Sequence, residues 1–87
     1  MVNEEIAEIF EQMAGILEER EENPFKINAY RKAAKLIRSL EDDLTTLAEK
    51  DELTKLSGIG KALSEKIKEY IKTGQIQAFE KLKNQSK

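Results

Sequence analysis

Ser57-Gly58-Ile59-Gly60 sets two glycines one apolar residue apart, immediately ahead of a helical pattern that begins near Lys61. Glycine permits positive φ and lets a ligand come close to the backbone. A helix starting there leaves its first N–H groups and the positive end of its dipole facing outward. Together these features make an anion site from main chain alone, suited to a phosphate diester and indifferent to the bases it carries. Ile59 is expected to plug into the core and hold the turn rigid. An ordinary helical hairpin with a glycine turn gives the same local pattern. A second cationic feature lies upstream. At roughly 100° per residue, Arg31, Lys32, Lys35 and Arg38 share one half of a helical wheel with no acid among them. A solvated face commonly mixes signs so that i,i+4 pairs form. Four unaccompanied cations point to an anionic partner, although basic faces also occur without one.

Composition excludes most other chemistry. The 87 residues contain neither Cys nor His. Disulfides, thiolate zinc sites, cysteine nucleophiles and histidine bases are therefore out of reach, and a tight transition-metal site is not expected. Any reaction has to come from Lys, Tyr, carboxylates, hydroxyls or the backbone. No apolar run reaches the ~18 residues of a membrane span, and Met1-Val2-Asn3-Glu4-Glu5 is acidic where a signal peptide would be basic. A cytoplasmic chain without membrane contact is expected, and nucleoid association if the source is prokaryotic.

A net charge of −2 and a pI near 5.3 argue against a polyanionic partner, but the segment sums differ from the total. Residues 1–22 hold eight Glu against Arg20, and residues 23–40 hold five cations and no acid. Residues 41–52 hold six acids against Lys50, and residues 53–87 hold eight Lys against three Glu. With a Debye length of only ~8 Å at physiological salt, a ligand at one patch feels that patch.

These features need a helical frame. A chain of this length is a single domain near the lower limit for one hydrophobic core, expected to be a monomer, with its folded part at 1–83 and a polar tail at 84–87. The first helix is expected from Asn3, as N-cap, to Glu22, with Ile6, Ile9, Phe10, Met13, Ile16 and Leu17 as its apolar stripe. Asn23-Pro24 starts a second helix running to about Leu40. A short helix follows Glu41-Asp42-Asp43, and another begins at Asp51-Glu52. A long helix spans Lys61 to Thr73 with Gly74 as its stop, and the last amphipathic segment runs from Gln75 to Lys83. No stretch alternates convincingly. The expected class is all-α, a compact bundle of four to six short helices.

Leu53, Leu56, Gly58, Ile59, Gly60, Ser64 and Ile67 resemble the helix-hairpin-helix motif of non-sequence-specific DNA-binding proteins, here spanning 52–73. Ser64 stands where a small residue, often Ala, lets the two helices pack closely. The likeness goes further. Asn28-Ala29-Tyr30-Arg31-Lys32-Ala33-Ala34, the hairpin, Glu65-Lys66-Ile67 and the Thr73-Gly74 stop are together similar to the small N-terminal domain of X-family DNA polymerases. That resemblance implies a SAM-like helical bundle that binds the 5′-phosphate side of gapped or nicked DNA, or a single-strand/double-strand junction, in base excision repair. In some members a lysine also removes a 5′-deoxyribose phosphate through a Schiff base and β-elimination. Here Lys66 matches that lysine, Tyr30 the residue that positions the sugar, and Lys26 a lysine of the phosphate pocket. Phe25 stands at a base-stacking position. The carbonyls of Thr54, Leu56 and Ile59 match those that hold a monovalent cation, K+ or Na+, and no other cofactor is required. Arg31, Lys35, Ser57, Gly58, Gly60 and Lys61 complete the expected phosphate contacts. The chain departs from the family at Ala62, Ala78 and Thr54, which stand at lysine positions, and at Ser57, which replaces a proline. The family's polymerase domain is absent, so nucleotide transfer is not expected here; that domain is an expected partner within a longer chain.

A lysine amine attacks a carbonyl only when deprotonated, and partial burial or neighbouring cations favour that form. Lys66 falls at the edge of the face defined by Leu63, Ile67, Tyr70 and Ile71, a position that also suits a structural lysine extending its stem along apolar surface. Three readings remain open: a DNA-binding module, the same module with lyase chemistry at Lys66, and a helical protein-interaction domain that keeps the fold without DNA.

Overall fold

Residues 2–85 are described by the structure, a computed structural model. In order they form α1 (Val2–Glu19), α2 (Pro24–Ser39), α3 (Leu44–Glu49), a 3₁₀ turn (Leu53–Lys55), α4 (Lys61–Thr73) and α5 (Gln77–Gln85). There is no strand among the described residues, and the expected all-α class holds.

The largest contact is between α1 and α2. Ile6, Phe10, Met13 and Leu17 recur at helical spacing on α1, and all are buried. On α2 the matching stripe is Ile27, Tyr30, Ala33, Ala34 and Ile37. The two alanines are fully buried, and their small side chains let the helix backbones approach. Phe10 and Tyr30 meet edge to face, with ring centroids 5.4 Å apart and planes at 60°. The helices run antiparallel: Glu18 near the end of α1 pairs with Arg31 in the middle of α2, while Glu4 near its start pairs with Arg38. Leu44, Leu53, Ile59 and Ile67 extend the same core beneath α3 and α4, and Ile76 and Phe79 bring the start of α5 onto it.

Local signals set most of the ends. Asn23 caps α2 by accepting from the Phe25 N–H at 2.8 Å, with Pro24 at the first helical position. Asp43 caps α3 by accepting from Thr45 N–H at 2.8 Å. Gly74 closes α4 in the left-handed conformation, φ 80°. Four expectations need correction. The first helix ends at Glu19 rather than Glu22, because Glu21 turns left-handed at φ 54° and the Glu22 N–H closes back on the Leu17 carbonyl. The segment from Asp51 is a single 3₁₀ turn, since Asp51 is itself left-handed at φ 57°. The last helix starts at Gln77 and continues to Gln85, so Asn84 and Gln85 are helical; the rest of the expected tail, Ser86 and Lys87, lies outside the described residues.

The fourth correction concerns Asn3. It lies inside α1 and is buried. Its Nδ2 donates to the Asp42 carbonyl at 2.8 Å, and its Oδ1 accepts from the Leu44 N–H at 2.9 Å. Both bonds cross to the α2–α3 connection, where they satisfy backbone groups withdrawn from water. Asn3→Ala removes both and leaves a buried amide unpaired, at a cost of about 1–3 kcal/mol. For a domain of this size that lowers the midpoint of thermal unfolding by about 4–8 °C per kcal/mol, measurable by circular dichroism.

Candidate nucleic-acid interface

The glycine turn is built by hydrogen bonds that shorten the path from the 3₁₀ turn into α4. Leu56 N–H donates to the Leu53 carbonyl and Ile59 N–H to the Leu56 carbonyl, both at 3.1 Å. Gly58 between them takes φ 95°, a backbone that L side chains rarely adopt. Ile59 points inward and is buried, as expected. Gly60 is the N-cap of α4, extended at φ −86° and ψ −175°, with no side chain closing the helix start. The first turn of α4 therefore faces outward uncapped, and Ser57, Gly58, Gly60 and Lys61 are all exposed around it. Ser64 is buried against the preceding segment and its hydroxyl donates to the Lys61 carbonyl at 3.0 Å, so the hydroxyl is satisfied where a smaller residue is usual.

Beside this turn lies a cavity of about 410 Å³ walled by α1, α2, α4 and α5. Lys26 and Tyr30 from α2 and Lys66 from α4 all line it, as does Ala62 in the first turn of α4. Three residues singled out separately in the sequence thus share one concavity next to the glycines. Its floor is apolar, with Met13, Leu17, Leu63 and Leu82, and its rim is charged. Tyr30 is mostly buried, and burial raises its phenol above the ordinary value. Its hydroxyl has no hydrogen-bond partner among the described residues, and no buried polar side-chain atom there lacks one; the hydroxyl is thus the solvent-accessible tip that the ring holds toward the cavity. Lys66 is half-buried. Phe25 is 82% exposed in the first turn of α2, a large apolar ring in water beside Lys26.

The cationic face of α2 is less free than its own sequence implies. Arg31 clasps Glu18 with two hydrogen bonds, 2.7 and 3.1 Å. Arg38 sits among Glu4, Glu8 and Glu11, with nitrogen–oxygen distances of 2.6–3.2 Å. The expectation of four uncompensated cations is corrected to two, Lys32 and Lys35, which have no acidic partner among the described residues. The acids come from α1, which is remote in sequence and adjacent in space. Hydrogen bonds from Arg31, and then its charge, hold the Glu18 carboxyl below the usual carboxylate range. Arg31 nevertheless stays exposed to solvent within that pair, as does Glu18.

Residues 1–76 match the helix-hairpin-helix domain family, which covers most of the chain. The chain belongs to that family. It is also 40% identical over 85 residues to DNA polymerase/3′-5′ exonuclease PolX of Bacillus subtilis (strain 168). The match covers 98% of this chain and 14% of that protein, and falls on that protein's N-terminal region.

In this helix-hairpin-helix domain the structure also brings Arg20, Glu22 and Lys81 to the cavity rim, none of them singled out in the sequence. Arg20 stands alone among eight glutamates of the first 22 residues, which is a signal. Its guanidinium donates to the Leu82 carbonyl at 3.0 Å and to Gln85 Oε1 at 3.3 Å, tying the end of α5 to α1. The candidate cation ligands, the Thr54, Leu56 and Ile59 carbonyls, belong to the turn itself; the Leu56 carbonyl accepts one hydrogen bond and keeps a second lone pair.

Two outcomes follow from this geometry. Gly58→Ala is strained by its positive φ despite open space for a methyl group, and costs about 1–2 kcal/mol of stability in a urea titration. Gly60→Ala, at ordinary φ and also in open space, costs less. Glu18 titrates below the usual glutamate range in an NMR pH titration and returns to that range in Arg31→Gln. The stability it contributes is present above the ordinary glutamate value and is lost as pH falls through the lowered one.

Proposed function

We propose that this chain is a DNA-binding domain of X-family polymerase type. It grips the sugar-phosphate backbone without sequence preference, close to the 5′-phosphate at a gap or nick, as base excision repair requires. The observation that carries this reading is the convergence of Lys26, Tyr30 and Lys66 in one cavity beside the uncapped, glycine-led start of α4. Main-chain N–H groups of Gly58, Gly60 and Lys61 take a phosphate of the continuous backbone, and Lys61 and Lys35 add charge. Arg31 contributes from its exposed pair. The turn carbonyls of Thr54, Leu56 and Ile59 offer hard oxygen donors that suit K+ or Na+, which when bound neutralises phosphate charge there. Phe25 stacks on an unpaired base at the gap. In a longer chain a polymerase domain would act on the same gap.

The cavity supports a reaction as well. Lys66 is half-buried, shares its cavity with other lysines, and has no carboxylate partner among the described residues. Its amine adds to C1′ of the ring-opened deoxyribose phosphate, and loss of water gives the imine. The C2′ proton then leaves, the C3′–O bond breaks, and the DNA strand departs with a 5′-phosphate. Water hydrolyses the imine and returns the free lysine. Tyr30 holds the sugar through its hydroxyl.

The binding test is fluorescence anisotropy with gapped and intact duplexes of unrelated sequence. Gapped DNA with a 5′-phosphate binds more tightly than intact duplex, and sequence matters little. With about four phosphate contacts, affinity falls about 10²-fold between 50 and 200 mM salt. No binding to gapped DNA at low salt overturns the reading in favour of a protein-interaction domain. Borohydride reduction on incised abasic DNA tests the chemistry: the wild type gives a covalent adduct and Lys66→Ala does not. An adduct that survives Lys66→Ala removes Lys66 from the reaction.

A further inference from the structure

The cavity is entered by lysines from three separate helices: Lys26 of α2, Lys66 of α4 and Lys81 of α5. None of the three has an acidic partner among the described residues. The fourth cation at the rim, Arg20, is engaged: it holds the Leu82 carbonyl and the Gln85 side chain, and it lies 3.9 Å from Glu22, the one acid lining the cavity. Arg20 is therefore an anchor for α5, and Glu22 faces that anchor. What the anchor positions is Lys81. It lies one turn beyond Ala78 on the same face of α5, and both line the cavity. Helical side chains lean toward the N-terminus and cover the preceding turn, so the methyl of Ala78 leaves room for the Lys81 stem to reach over it.

We propose that Lys81 is a specificity-determining residue of this site, acting with Lys26 of the same cavity to bind a terminal phosphate monoester. The inference rests on the 5′-phosphate reading above and adds the residue that makes the monoester preferred. A terminal phosphate carries about −1.5 to −2 charges near neutral pH, against −1 for a diester. One cation balances a diester, whereas the terminal group rewards two. Lys66 is reserved for the sugar carbon in the chemistry proposed above, so the second cation comes from another element. Lys26 and Lys81 supply the two.

The test compares two gapped duplexes that differ only in a 5′-phosphate or a 5′-hydroxyl on the downstream strand, and reads the ratio of their dissociation constants. The wild type prefers the phosphate. Lys81→Ala and Lys81→Gln reduce that preference about tenfold, the order expected for one charge-assisted contact, while affinity for the 5′-hydroxyl duplex changes little. Lys81→Arg retains the preference. Lys83→Ala, which removes the same charge from the same helix but outside the cavity, also retains it. A wild type with no preference overturns the 5′-phosphate reading and this assignment with it. A wild-type preference that survives both Lys81→Ala and Lys81→Gln overturns the assignment alone, as does an equal loss in Lys83→Ala, which marks the effect as one of total charge.

Discussion

Phe10 and Tyr30 meet edge to face in the seam between α1 and α2, and the position of almost every other group follows from that seam. Ala33 and Ala34 let the two helices close up, and α2 is the main element packed against α1 and its stripe of Ile6, Phe10, Met13 and Leu17. Once α1 and α2 are antiparallel, Asn3 comes to the α2–α3 connection and Arg20 to the end of α5. The same ring that fills the seam carries the Tyr30 hydroxyl to the cavity. A residue that supports both core and site can do so because tyrosine is apolar along its body and polar at its tip. Its raised phenol value belongs to the body, which is buried, and not to any charged neighbour.

Two surfaces of different make-up are set side by side on this frame, one of main-chain amides and one of side chains. The start of α4 offers backbone amides and needs only that Gly58 bend left-handed and Ile59 be held below. The cavity offers side chains from α2, α4 and α5 and needs the whole bundle. They share the first turn of α4, where Ala62 is part of the cavity wall. On the proposed reading, a continuous strand held at the turn is thereby led to the cavity with its end. The acidic total is no obstacle, because much of it is spent on α1 in clasping Arg31 and Arg38.

Local sequence was informative wherever a backbone group had a partner within a few residues. The cap at Asn23, the stop at Gly74 and the bounds of α4 could be read directly, since each depends on one side chain or one φ value. Asn3 misled for the same reason: it has the right type for an N-cap at its own helix, and its true partners, Asp42 and Leu44, are about forty positions away. Glu21 and Asp51 misled too, because left-handed turns are usually assigned to glycine.

The residue types alone determined an all-helical chain, a glycine-led helix start with its first amides exposed, and an apolar stripe on each helix, because these depend on interactions spanning a turn or two. Tertiary structure decided which cations remain open and which are engaged. On the wheel Arg31, Arg38, Lys32 and Lys35 are equivalent, and Lys81 is one lysine among several. Only the packing of α1 against α2 gives the arginines their glutamates, and only the return of α5 to α1 brings Lys81 to the cavity that Lys26 also lines. Charge compensation acts through space over a few ångströms, and no local pattern records which distant segment will lie within that range.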